Sequence, residues 1–435
     1  MKNKKMQLLR LKKDDFRIAT PLSEVCNGDL EIIKFYFNKI LLFTFVMLLV
    51  SSTIYAENNS SNMWATLETA SGTSVFTINL PIDGCLNIIT EINGKNKTER
   101  LWGPRFMKKG TYKLSFPQSR LTNKKGTIEL FNVKLTPFKE TGSRGKGERQ
   151  FDNPNGIDYD ISRKEILIAD TGNDRIVRLG KDGRFIAKHG GFGLAGSKKS
   201  EDGEDSLNNP YDVAAGGFSN FYISDSGNDR VAIYDSYKSY RGNLFPKKND
   251  RRNRLNKPKG IVTDYENNIW VVDGRSDTVV KLSPNSTKLL EIGGFGYSEK
   301  QLKNPTQIDI AVDGSVFVAD RGKSRIAVFD RLGSYKYEIK DNLKTPTGVA
   351  VDNDGLLLIC DDTSNELSLY TPKGNRLLVI NEASNGSCFK KPSDVVLCDD
   401  TVFLLDSGNH RIIHIKREKD GYVASWQGPV AIVEQ

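Results

Sequence analysis

Beyond about residue 60 the apolar positions fall into short runs that alternate with polar ones. Gly, Asn, Asp and Pro clusters separate the runs, the period-two pattern of strands punctuated by turns. Over residues 60–138 the runs are Ser74–Leu80, Cys85–Thr90, Gly110–Phe116 and Thr127–Leu135, with Gly84, Asn93-Gly94, Lys109-Gly110 and Lys125-Gly126 between them. This predicts a small antiparallel β-sandwich of roughly six or seven strands. Residues 139–150 combine glycine and charge without apolar periodicity and read as a linker. From 151 to 435 the short alternating runs resume.

The pattern differs upstream. Residues 34–56 carry an uninterrupted apolar core, Ile40–Val50, preceded by Lys34 and Lys39 and ending in small residues at Ala56. That is the order of a secretory signal, and with its flanks the stretch reaches the about 20 residues that cross a bilayer. A signal peptide and a signal-anchor helix are both open. Residues 1–33 form a basic leader that the positive-inside rule keeps in the cytoplasm. Everything beyond Glu57 is then expected outside it, in the periplasm, at the surface or secreted, with the membrane a partner through residues 34–56 if they are not cleaved.

Residues 151–435 repeat. Each repeat opens on an X-Pro step: Asn153-Pro154, Asn209-Pro210, Lys257-Pro258, Asn304-Pro305, Thr345-Pro346 and Lys391-Pro392. Fourteen to sixteen residues after the proline an Asp closes an apolar run, at Asp170, Asp225, Asp273, Asp320, Asp361 and Asp406. Four repeats continue as Asp-x-Gly-x-x-Arg, namely 170–175, 225–230, 320–325 and 406–411; the third turns through Asp273-Gly-Arg-Ser-Asp-Thr278 and the fifth replaces the Arg with Glu366. Glycine is expected to supply a positive φ in the turn, and Arg to reach a carboxylate or carbonyl nearby. A single four-stranded unit cannot bury both faces, whereas a closed ring of them can.

This signature resembles the NHL-repeat family. The resemblance implies an all-β fold, a six-bladed β-propeller over 151–435, preceded by the sandwich and the apolar export or anchor helix. Leu80–Gly84 and Lys109–Tyr112 resemble Ig-like modules of the flagellar hook-cap type. The last repeat is expected to complete its own sheet with Tyr422–Gln427. In such a propeller the strand after each proline lines the channel. Its first residues are Asn155, Tyr211, Lys259, Thr306, Thr347 and Ser393, followed by Gly156, Asp212, Gly260, Gln307, Gly348 and Asp394. Candidate ligand-binding residues at the channel mouth are therefore Asn155, Tyr211, Asp212, Lys259, Gln307 and Asp394. Related propellers, the gluconolactonase-type hydrolases and the amidating lyases, use channel metals, so a Ca²⁺ held by opposed carboxylates is the cofactor to test.

Charge and candidate chemistry refine this picture. The net charge of +9 resides upstream: residues 1–56 contribute +4 and 57–150 contribute +7, which leaves −2 for the repeats. That balance and the export signal argue against nucleic acid as a partner. One basic stretch stands out, with Lys247, Lys248, Arg251, Arg252 and Arg254 suited to an anionic surface or envelope polymer. Cys26, Cys85, Cys360, Cys388 and Cys398 show no metal or disulfide spacing, although Cys360 and Cys398 lie in adjacent repeats. The three histidines, His189, His410 and His414, show no metal-site spacing, and no nucleophile elbow or phosphate loop is present. The expectation is a non-enzymatic binding scaffold for a protein or polysaccharide, with a metal-dependent hydrolase or lyase in the channel as the alternative.

Overall fold

The computed structural model describes residues 50–54, 64–70, 73–80, 83–91, 98–191, 206–235, 240–244 and 255–427. The chain divides into two compact units, Met1–Asn132 with Lys419–Gln435, and Val133–Glu418.

The first unit begins with β1 (Val50–Ile54), β2 (Trp64–Ala70), β3 (Thr73–Leu80), β4 (Gly84–Glu91), β5 (Thr98–Met107) and β6 (Gly110–Pro117). A single helical turn, α1 (Gln118–Leu121), leads into β7 (Lys125–Thr141), whose first half belongs here. One sheet runs β1-β2-β3-β6, and β4 lies between β5 and β7. Alternation explains the core: Phe76, Ile78 and Leu80 point inward from β3, while Ile128 and Leu130 do so from β7. Val50–Ile54, expected as the end of a signal or anchor helix, is instead a strand paired with β2. Among the described residues no helix is long and apolar enough to cross a membrane; residues 1–49 lie outside them.

The second unit is built from antiparallel four-stranded meanders. The first comprises β8 (Gly156–Asp160), β9 (Glu165–Asp170), β10 (Arg175–Gly180) and β11 (Phe185–His189). The next comprises β12 (Pro210–Ala215), β13 (Asn220–Asp225), β14 (Arg230–Asp235) and β15 (Tyr240–Leu244). It is followed by β16 (Pro258–Thr263), β17 (Ile269–Asp273), β18 (Thr278–Leu282) and β19 (Lys288–Gly293). Then come β20 (Pro305–Ile310), β21 (Val316–Asp320), β22 (Arg325–Phe329) and β23 (Tyr335–Ile339). After β24 (Pro346–Val351), β25 (Leu357–Asp361), β26 (Glu366–Tyr370) and β27 (Arg376–Ile380), the chain ends in β28 (Pro392–Cys398), β29 (Thr401–Asp406) and β30 (Arg411–Gln427). The first strands touch in sequence, β8 to β12, β16, β20, β24 and β28, and β28 returns to β8. This closed ring of radial sheets is a β-propeller.

The ring closes through the N-terminal side of the unit. The strand beside β30 is the second half of β7, Val133–Thr141. Thr141 Oγ1 lies 3.0 Å from His414 Nε2, and Arg411 Nη1 donates to Glu140 Oε2 at 2.6 Å. Tyr422–Gln427, expected to form the last strand, only continues β30. The segment 139–150 likewise differs from a free linker. It begins inside β7, and its carbonyls at Lys146, Gly147 and Gln150 accept hydrogen bonds from the Arg175 guanidinium at 2.7–2.8 Å.

The repeated turn explains the sequence signature, with one correction. The Asp170 carboxylate accepts the Asp152 amide at 2.7 Å and pairs with Arg175 Nε at 2.7 Å, so it ties the turn to the X-Pro entry of its own sheet. Asp225–Arg230, Asp320–Arg325 and Asp406–Arg411 repeat the pair at 2.6–2.8 Å. The turn glycines do not adopt positive φ; the left-handed residue lies two positions later, at Asp174, Asp229, Ser324 and His410. Glycine is required for close approach instead, because a Cβ on Gly172 would sit 2.5 Å from Asp152 O. The left-handed residue also links neighbouring sheets. Asp174 Oδ1 accepts the Asn209 amide at 2.7 Å, and His410 Nδ1 accepts the Asn153 amide at 3.1 Å across the closure.

Candidate functional site

The inner strands carry their channel-facing residues in three layers. The first, where those strands begin, contains Asn155, Tyr211, Lys259, Thr306, Thr347 and Ser393. These line a cavity of about 270 Å³ together with Arg321, Asp362 and Lys391. Asp212, Gln307 and Asp394 form the second layer, and Asp158 and Asp309 the third, around a separate cavity of about 210 Å³. The six predicted channel residues therefore divide: Asn155, Tyr211 and Lys259 at one mouth, Asp212, Gln307 and Asp394 deeper. Lys247, Lys248, Arg251, Arg252 and Arg254 lie outside the described residues. Asp158 and Asp309 were missed by sequence reasoning, although strand alternation places them on the same face as Gly156 and Gln307.

The second layer alternates around the ring as Gly156, Asp212, Gly260, Gln307, Gly348, Asp394, and the reason is steric. A Cβ on Gly156 would lie 2.0 Å from Asp212 Oδ1, and one on Gly260 would lie 2.2 Å from Gln307 Oε1. Each polar side chain occupies space that a neighbouring glycine leaves. The narrow channel can thus hold three side chains but not six.

Each carboxylate in this region accepts main-chain amides from two adjacent sheets. Asp212 takes Val213 N at 2.8 Å and Ile261 N at 2.9 Å. Asp158 takes Tyr159 N and Ala215 N, both at 2.7 Å; Asp309 takes Ile310 N at 2.8 Å and Val351 N at 2.7 Å. Asp394 accepts Ile157 N at 3.0 Å across the closure and Gln307 Nε2 at 2.6 Å across the channel. Burial is the first cause that raises their proton affinity. It lifts Asp158 to about 6 and Asp309 to about 7 against the amides that favour the charged form. Asp212 is raised chiefly by burial, with the Asp158 charge adding to it, and Asp394 is raised by burial and then by the Asp212 charge.

Gln307 presents an N–H rather than its oxygen to Asp394, leaving Oε1 buried without a hydrogen-bond partner. Among the described residues no three His, Cys, Asp or Glu side chains converge as metal ligands. A calcium cage needs about 6–8 oxygens. The histidines stand elsewhere. His189 is buried 3.3 Å from Arg178 Nη1, His410 forms the closure bond, and His414 is buried at the β7–β30 seam with its pKa pushed down to about 4, chiefly by burial. Cys360 and Cys398 are both free, and Cys360 is buried with its thiol pushed up by that burial.

No family model matches the chain. Human Teneurin-1 is 23% identical over 213 residues, which are 47% of this chain and 7% of that protein. Peptidyl-alpha-hydroxyglycine alpha-amidating lyase 2 of Drosophila melanogaster is 28% identical over 145 residues, 31% of this chain and 36% of that protein. The chain thus spans about a third or less of the length of either curated relative. Among solved structures, a gluconolactonase from Xanthomonas campestris superposes with a TM-score of 0.48 at 14% identity, covering 66% of this chain and 98% of that one.

Proposed function

We propose that this chain is a six-bladed, NHL-type propeller that acts outside the cytoplasm as a non-enzymatic binding scaffold for a protein or polysaccharide. The observation that carries the reading is the use of the channel carboxylates. Asp158, Asp212, Asp309 and Asp394 are engaged by main-chain amides that join neighbouring sheets. A general base or metal ligand acts through acceptor sites open to substrate or ion, and here amides of two neighbouring sheets occupy part of that capacity on each carboxylate. Export rests on the apolar sequence upstream of β1, Ile40 onward, with Lys34 and Lys39 before it, and the sandwich preceding the ring is read as an Ig-like spacer.

The test is turnover. Lactone, ester and peptidylglycine substrates incubated with the full chain, with and without added calcium or zinc, should react no faster than in buffer. A saturable rate that Asp212→Ala abolishes while the fold persists would overturn the scaffold reading and establish a channel enzyme.

A further inference from the structure

At two of the repeated turns the residue after the Asp bonds across to the next sheet. Its hydroxyl reaches the next sheet's proline carbonyl: Thr171 Oγ1 donates to Pro210 O at 2.7 Å, and Ser407 Oγ donates to Pro154 O. The third, fourth and fifth sheets carry Gly274, Arg321 and Asp362 at that position. In these sheets a first-layer side chain makes the bond, as Ser393 Oγ also does to Pro154 O at 3.4 Å. Lys259 Nζ donates to Pro305 O at 3.1 Å, Thr306 Oγ1 to Pro346 O at 3.4 Å and Thr347 Oγ1 to Pro392 O at 2.8 Å. Gly274 makes room for the first substitution, since a Cβ there would lie 2.6 Å from Lys259 Cε. The substituted positions thereby release Arg321 and Asp362 into the mouth cavity, where Arg321 Nη2 pairs with Asp362 Oδ2 at 2.6 Å.

Three departures from the repeat thus converge on one cavity, and that cavity is cationic. Lys259, Arg321 and Lys391 stand against Asp362 alone among its charged lining residues. Among the described residues Arg321 has no hydrogen-bond partner for Nε or Nη1, and the half-buried Tyr211 phenol has none while facing the same space. Lys259 uses two of its three donors, on Asn304 Oδ1 and Pro305 O. A guanidinium edge and an ammonium together recognise a carboxylate, and a Tyr ring offers a flat face and a hydroxyl to a polar ring. The volume of about 270 Å³ falls below the roughly 300–1,000 Å³ of drug-sized sites. A ligand of monosaccharide size is therefore the fit.

We infer that the mouth formed by Tyr211, Lys259 and Arg321 is a binding site for a uronic-acid-type sugar, its carboxylate held by the two cations. This rests on the scaffold reading and gives that scaffold a ligand class. Isothermal titration of the full chain at pH 7 and low salt compares D-glucuronate, D-glucose and acetate. Glucuronate should bind at least tenfold more tightly than either. Lys259→Gln, which keeps a donor for Pro305, should weaken glucuronate at least tenfold, and Tyr211→Phe should weaken it less. Glucuronate binding no tighter than glucose, acetate binding as tightly as glucuronate, or unchanged affinity in a folded Lys259→Gln chain would each overturn the inference. Turnover of lactones or esters would sink the scaffold reading alone, so the two failures are distinguishable.

Discussion

At residue scale several buried carboxylates are paired with a cation. Asp170 is fully buried, and Arg175 joins it to three carbonyls of the 146–150 loop. Arg175→Met would leave that carboxylate buried without its cation, and such losses cost about 3–5 kcal/mol. A urea titration should show the midpoint falling accordingly. His414 gives a pH signature. Its folded pKa of about 4 lies below the roughly 6.5 of an unfolded imidazole, so between those values the unfolded chain binds the additional proton. The contribution of His414 to stability therefore falls as pH drops through that window, by on the order of 3 kcal/mol in total, while the raised carboxyls of Asp158 and Asp309 contribute with the opposite sign. Between about pH 4 and pH 6.5 the slope of unfolding free energy against pH should be less positive in His414→Gln than in the parent chain, and an unchanged slope would place the titrating group elsewhere.

At element scale the departures from sequence-based expectation have physical reasons. The X-Pro steps, the Asp-x-Gly-x-x-Arg turns and the alternating strands were legible because they are local: each bond from Asp170 stays within one sheet. Ring closure was not, since pairing β7 with β30 joins segments some 270 residues apart and has no local signature. The turn glycine was read as a conformational requirement when it is one of close approach, visible only once Asp152 O is placed beside it. If Val133–Thr141 is a structural strand, its amides should exchange with deuterium as slowly as those of β29. Exchange at the rate of a free linker would refute the closure.

At the scale of the whole molecule, half of the candidate site was present in the sequence as a list of first and second residues. What the list lacked was depth. It placed Asp212, Gln307 and Asp394 at the mouth with Tyr211 and Lys259, whereas the channel separates a cationic mouth from a carboxylate layer that joins the sheets. The Gly residues of that list are the spaces that let three polar side chains fill the ring. Arg321 and Asp362 belong to turns rather than inner strands, so a search confined to the inner strands could not find them. The near-neutral charge of the repeats hid a local cationic cavity for the same reason: a sum over 285 residues says little about a cluster of four.

We propose that amide-bonded carboxylates, and not a resident metal, hold the channel. Thermal unfolding of the full chain at pH 7.5, with EDTA and then with millimolar calcium, tests it most directly. A native-state ligand at 100 times its Kd adds about 2.7 kcal/mol, a readily measured shift. The account predicts the same melting temperature in both conditions. A melting temperature that EDTA lowers and calcium restores in a saturable manner, with Asp212→Ala abolishing the response, would contradict it.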